Sequence, residues 1–158
     1  MTKTNYQREN LVSAKAEEAY AALTTGFQYW WTPASQIIEK VNDEITFRFP
    51  PNPTYWTMRV EKLVPNKTVV LKCIDANHVH DGLPESIRHE WKDTELKWEI
   101  IQKDGMTLIK FEHKGLTPTL GCYDICEAGW DYFFVDSLKK YLENNEGNPG
   151  HSENNLPL

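Results

Sequence analysis

No run of apolar residues in this 158-residue chain approaches the 18 or so that cross a bilayer, and the opening MTKTNYQREN has nothing like the apolar stretch of a signal peptide. Membrane insertion is therefore not expected, and the expected compartment is the cytoplasm. Cysteine is scarce: three residues, an odd number, fit reduced thiols better than a disulfide framework. Cys122 and Cys126, one helical turn apart, are poorly oriented to bridge each other. Basic residues do not dominate. Against 23 Asp and Glu there are 17 Lys and Arg, scattered, giving a net charge of −6, and this excludes the clustered positive footprint that nucleic acid or an anionic membrane surface requires. The chain also lacks a Gly-rich phosphate loop, a dinucleotide fingerprint and a nucleophile elbow, so neither phosphoryl transfer nor nicotinamide chemistry is expected, and no cofactor.

Aromatic residues are abundant instead. Six Trp, seven Tyr and six Phe exceed what a single small core needs for bulk, since an average chain of this length carries roughly two Trp. They concentrate in GCYDICEAGWDYFF, from Gly121. At about 100° per residue, Cys122, Cys126, Gly129, Trp130, Phe133 and Ser137 share one stripe of a helix, with Tyr123, Phe134 and Tyr141 on its flank and Asp124, Asp131 and Lys139 away from it. That stripe fits a packed core, the wall of a ligand cavity, or a site of thiol and imidazole chemistry.

Around this helix the chain divides simply. TNYQRENLVSA reads as a first strand, and Ser13 offers an N-cap for a short helix whose apolar stripe is Ala16, Ala19, Tyr20 and Leu23. Gly26 breaks it, and GFQYWW forms a second short helical segment closed by Pro33. From Ile37 to Phe111 the pattern is β: IIEKV, EITFRF, YWTMRVEKL, TVVLKCI, RHEW through LKWEII, and MTLIKF, with turn residues between. Ile45, Phe47 and Phe49 alternate with Thr46 and Arg48, and Trp56, Met58 and Val60 alternate with Thr57, Arg59 and Glu61, the mark of a sheet covered on one face. The long helix runs from about Cys122 to Leu142, with Gly147 as its stop. We expect one domain over residues 1–147 and a flexible polar tail over 148–158. The expected class is α+β, a curved antiparallel sheet around a C-terminal helix, with two short helices between the first two strands.

This order resembles the helix-grip fold of the START/Bet v-like (SRPBCC) superfamily. In YWWT near Trp30, EWKDTELKWEI, TLIKFEHKGL and the CY-x-x-C-x-x-GW-x-x-F-x-x-SL-x-x-YL pattern from Cys122, it is similar to that superfamily's Hsp-90 ATPase activator homologue-like family, over residues 5–147. The resemblance implies a binder of hydrophobic small molecules. The family's name comes from one domain of a eukaryotic co-chaperone, so a chaperone partner and a role in stress response are weaker implications. Monomer and homodimer both remain open.

Candidate site residues follow from lining chemistry. Tyr123, Cys126, Trp130, Phe133 and Phe134 from the helix, Phe47, Phe49, Trp56 and Met58 from strands, and Trp30 or Trp31 from the helical gap are expected around a cavity between helix and sheet, with core filling the plainer role of any one of them. His113 shares a face with Thr107, Ile109 and Phe111, which could bring its imidazole near Cys122, Tyr123 or Cys126 as an acid/base, although a structural hydrogen bond is the better expectation. His78, His80 and Asp81, joined by His89, could hold zinc or nickel. Solvated loop histidines are preferred, and Cys122 with Cys126 is a weak metal signal, so no metal is expected. The function read from these residues is burial of a hydrophobic or aromatic, lipid-like or polyketide-like molecule, with a cyclase- or hydrolase-type enzyme in the same pocket, or a protein-interaction module, as alternatives.

Overall fold

A computed structural model describes residues 4–49 and 52–149. Six strands form one antiparallel sheet: β1 (Tyr6–Val12), β2 (Glu44–Phe49), β3 (Asn52–Val64), β4 (Thr68–Asn77), β5 (Glu95–Lys103) and β6 (Met106–Lys114), in the order β1-β6-β5-β4-β3-β2. Helix α1 (Ala16–Ala22) and a single 3-10 turn at Phe27–Tyr29 lie between β1 and β2. The C-terminal helix is continuous over residues 123–144 but changes pitch: α2 (Tyr123–Trp130), a π-helical stretch over Asp131–Ser137, then α3 (Leu138–Asn144). This is the expected α+β helix-grip architecture.

The alternation in the sequence decides which face is covered. Ile45, Phe47 and Phe49 of β2, Trp56, Met58 and Val60 of β3, Leu96 and Trp98 of β5, and Ile109, Phe111 and His113 of β6 are all buried beneath the helix. Three register shifts, at Arg48/Phe49, Thr57/Met58 and Val60/Lys62, leave Pro53-Thr54 and Glu61 of β3 and Ile74 of β4 without a residue opposite, as bulges. Bulges bend a strand and raise its twist, which curls this half of the sheet over the helix.

Two expected strands are corrected. IIEKV is not in the sheet: the Asp43 carboxylate accepts the N–H groups of Glu39 and Lys40 at 2.9 and 3.0 Å, and Asn42 takes a φ of 76°, so side-chain bonding closes a turn there. Five strands, not six, therefore follow the short helices. RHEW likewise belongs to a connection of turns after β4, and β5 begins only after Asp93, whose φ of 72° breaks any extended run. The cap of α1 is Lys15 rather than Ser13, with the Glu18 carboxylate accepting the Lys15 N–H at 2.9 Å.

The π-helical stretch has a visible counterpart on β1. Widening the helix by one residue leaves main-chain carbonyls short of their usual donors. The side chain of Asn10, only 4% exposed, donates to the carbonyls of Phe134 at 2.8 Å and Val135 at 3.3 Å. On the opposite side of that stretch, Ser137 Oγ donates to the Trp30 carbonyl at 2.6 Å and accepts the Asn148 N–H at 2.7 Å. The helix stops at Asn145, in the left-handed region at φ 58°, and not at Gly147. Gly147 instead permits a close approach, because a Cβ there would overlap the Tyr29 carbonyl oxygen. Asn148 is thus tied to the helix, whereas residues 150–158 of the expected tail lie outside the described residues.

Candidate functional site

The concave face of the sheet and the helix stripe meet in a cluster of tryptophans. Trp56 from β3 stacks on Trp91 with ring centroids 4.1 Å apart, and Trp91 lies parallel to Trp130 of α2 at 5.9 Å. Trp31 packs on Trp130 at 4.8 Å and faces Trp56 at 6.4 Å with only 22° between the planes. Between them lies an apolar cavity of about 20 Å³, walled by these four rings with Phe49, Cys126, Gly129 and Phe133. That volume accommodates about one water. The seam between helix and sheet is therefore almost closed by aromatic side chains. Larger depressions, of 460–550 Å³, lie elsewhere and are lined chiefly by charged and polar groups such as Lys97, Glu99 and Lys110.

Phe49, Trp56, Cys126, Trp130 and Phe133 reach this cavity as expected, and of the alternatives Trp30 and Trp31 it is Trp31 that does. The others are placed differently. Trp30 is fully buried, donating its Nε1–H to the Ala22 carbonyl at 2.8 Å, while its neighbour Trp31 takes the wall position. Phe47, Met58 and Phe134 are buried in the core around the cavity, and half-buried Tyr123 turns its hydroxyl outward to Glu127 at 3.2 Å. Trp91 and Gly129 complete the wall. Trp91 is hidden in an apparent strand, although the Lys92-Asp93-Thr94 that follows it is turn chemistry.

His113 is wholly buried, and both of its ring nitrogens are occupied. Nδ1 accepts the Trp130 indole N–H at 3.1 Å, which leaves Nε2 to donate to Thr94 Oγ1 at 2.9 Å, and that hydroxyl in turn donates to the Trp91 carbonyl at 2.6 Å. Burial pushes its pKa down to about 3. The imidazole is thus a neutral link among Trp130, Thr94 and Trp91, with no nitrogen left over for acid/base work. Cys73 and Cys126 are equally unsuited to nucleophilic chemistry, because burial pushes the Cys73 thiol up to about 12 and that of Cys126 well above its ordinary value.

Other polar groups here lack partners. The Nε1–H of Trp56 and of Trp98, and both ring nitrogens of His78, are buried without a hydrogen bond. His78 is 1% exposed, so the expectation of solvated histidines fails for it, while His89 is exposed and bonds the Ala76 carbonyl at 2.7 Å. Burial holds the His78 pKa down at about 4.

A curved six-stranded antiparallel sheet gripping a long C-terminal helix defines the chain as an SRPBCC-type protein. The family model described as "Activator of Hsp90 ATPase homolog 1-like protein" matches residues 13–143, and the chain belongs to that family. Among solved structures it is similar to the Aha1 dimer of Colwellia psychrerythraea, at 30% identity over 93% of this chain and 100% of that one, with a TM-score of 0.69. It also shares its fold with a Mesorhizobium loti protein (18% identity, 87% and 96% coverage, TM-score 0.71) and with DynU16 of the dynemicin biosynthetic locus (15%, 89% and 48%, TM-score 0.68). No curated protein matches. Among the described residues, no helix is long and apolar enough to cross a membrane.

Proposed function

We propose that this chain binds a small planar, largely apolar molecule carrying one hydrogen-bond acceptor, taken up between Trp31 and Trp56. The observation that carries the reading is the pair itself: two nearly parallel rings with centroids 6.4 Å apart across an apolar cavity, one of them with an orphaned indole N–H. An intercalated ring needs about 7 Å, twice the contact distance of about 3.5 Å between carbon atoms. A small outward shift of Trp31 supplies the difference. Trp31 sits on the segment that joins the 3-10 turn to β2, whereas Trp56 is held within the ladder of β3. An acceptor on a substituent that extends past the edge of the Trp56 ring and bends into its plane would satisfy Trp56 Nε1–H, whose burial without a partner costs about 1–3 kcal/mol.

The two facing rings favour a flat ligand over a long acyl chain, and either would have to move the walls of a cavity of about 20 Å³ apart to enter. Burial would supply the affinity, at about 25 cal/mol per Å² of apolar area removed from water. The test is a tryptophan fluorescence titration with 2-naphthol and, in parallel, decanoic acid, read beside native mass spectrometry. Saturable one-to-one quenching by naphthol that weakens in Trp31→Ala supports the reading; silence with both compounds, or an equal response in the variant, sinks it.

Family membership favours a second reading, docking on an Hsp90-type chaperone. Ile37 and Val41, 48% and 46% exposed on the connection before β2, are apolar side chains such a surface would use. Chaperone ATPase stimulated by this chain, and not by an Ile37→Asp/Val41→Asp variant, is the expected outcome. Unchanged ATPase at saturating protein rejects it.

A further inference from the structure

His78, Cys122 and Cys126 come from two distant parts of the chain, and their ligating atoms all lie within 4.8 Å of one another. Zinc bonds of about 2.0–2.3 Å to nitrogen and sulfur ask for a rearrangement on the order of 1 Å: the two thiols, 2.9 Å apart, part toward the roughly 3.7 Å of a tetrahedral pair while the imidazole closes in. All three side chains are buried, at 1%, 0% and 3% exposure.

The folding of the site is local and specific. His78 directly follows β4, and its N–H is held by the Arg88 carbonyl at 2.9 Å. Cys122 occupies the N-cap of α2, and Cys126 lies one turn on, so both thiols point the same way. The Glu90 carboxylate fixes that cap, accepting the Gly121 N–H at 2.9 Å and the Cys122 N–H at 3.1 Å. The thiols are free and 2.9 Å apart, well beyond the bond of about 2.05 Å in a disulfide. Trp91 donates its indole N–H to Cys126 Sγ at 3.2 Å, a contact that suits a sulfur bearing negative charge.

The independent sign of a ligand is His78. Among the described residues it is the one buried histidine with no partner on either nitrogen, while His113, equally buried, is satisfied on both. An imidazole taken out of water with nothing bonded to it is costly, unless something not made of protein completes the site.

We propose that His78, Cys122 and Cys126 form a three-ligand site for a thiophilic d10 cation, Zn²⁺ or Cu⁺, at the start of the C-terminal helix. Two thiolates and an imidazole are the soft and borderline donors that select these ions over Mg²⁺ or Ca²⁺. Binding releases the two thiol protons to solvent. With Zn²⁺ the buried group is then neutral, and three protein ligands leave a fourth position open; Cu⁺ is content with three ligands. Neither case needs the organic ligand proposed above, so the two readings fail separately.

The test uses the full chain, reduced and stripped of metal by a chelator, and titrated with Co²⁺, then Zn²⁺, and separately with Cu⁺ against a chromogenic chelator. The expected result is thiolate-to-cobalt charge-transfer absorption that saturates at one equivalent and is bleached by one equivalent of Zn²⁺. If the ion is Cu⁺, one equivalent is instead withheld from the chelator. His78→Ala, Cys122→Ser and Cys126→Ser should each weaken binding at least tenfold, whereas Cys73→Ser should leave it unchanged. Should a variant fail to fold, alkylation of the wild-type chain decides: added metal should slow modification of Cys122 and Cys126 and leave Cys73 as it was. Failure of the fully reduced protein to bind either ion, or binding indifferent to all three substitutions, overturns the proposal.

Discussion

The indole N–H of Trp130 donates to Nδ1 of His113 at 3.1 Å, and this one bond joins the C-terminal helix to β6 at the bottom of the aromatic cluster. Because Nδ1 is an acceptor in that bond, the imidazole carries its proton on Nε2 and donates it in a hydrogen bond to Thr94. Three buried polar groups are satisfied in one chain of bonds. It fixes Trp130, and with it the rear wall of the cavity, in one position.

His113→Ala should leave Trp130 Nε1–H and the Thr94 hydroxyl without this partner in the interior. The expected cost is about 2–4 kcal/mol in urea unfolding, the penalty of stranded polar groups plus a cavity. A loss below about 0.5 kcal/mol would show that the link contributes little.

The same residue sets a pH dependence. Its folded pKa, about 3, lies below the ordinary 6.5, so the unfolded chain binds the additional proton. Stability from keeping this imidazole neutral is fully present above about pH 6.5 and is lost as pH falls toward 3, at about 1.4 kcal/mol per pH unit. His78, likewise held down at about 4, adds its own proton over the same window, so the His113 share is the part of the slope in denaturant midpoints between about pH 7 and 4.5 that His113→Ala removes, and the His113 ring resonances in NMR should show no titration across that range.

Asn10→Leu tests the account of the π-helical stretch. Loss of the bonds to the Phe134 and Val135 carbonyls should destabilise the protein by about 1–3 kcal/mol. Amide exchange should speed up in residues 131–140 before it does so in β5 and β6.

Gly147→Ala should push the chain off the Tyr29 carbonyl and release the Asn148 N–H from Ser137 Oγ. The expected signature is a large rise in Asn148 amide exchange with at most about 2 kcal/mol of global stability lost. Unchanged exchange at Asn148 would mean that the close approach is not required.

Most of the architecture is legible in the sequence, because β2, β3, β5 and β6 alternate cleanly and the stripe from Cys122 to Ser137 has helical spacing. The misread segments have an apolar pattern overruled by side-chain bonding: IIEKV looks like a strand until Asp43 closes on Glu39 and Lys40. The site is half legible. Residue type and face identify Phe49, Trp56, Cys126, Trp130 and Phe133, but the choice of Trp31 over Trp30 turns on a short helical segment whose phase no period defines. Trp91 and His78 sit on irregular connections, where neither period two nor period 3.6 applies, and their meeting with the helix is a tertiary fact.

Ligand uptake between Trp31 and Trp56 is tested most directly by the six indole N–H resonances in a 15N-labelled sample titrated with 2-naphthol. The account expects the Trp56 Nε1–H signal, assigned through Trp56→Phe, to shift saturably under the ring current of the naphthol stacked beside it. A Trp56 signal that stays fixed at saturating naphthol, whatever the other five do, would contradict it.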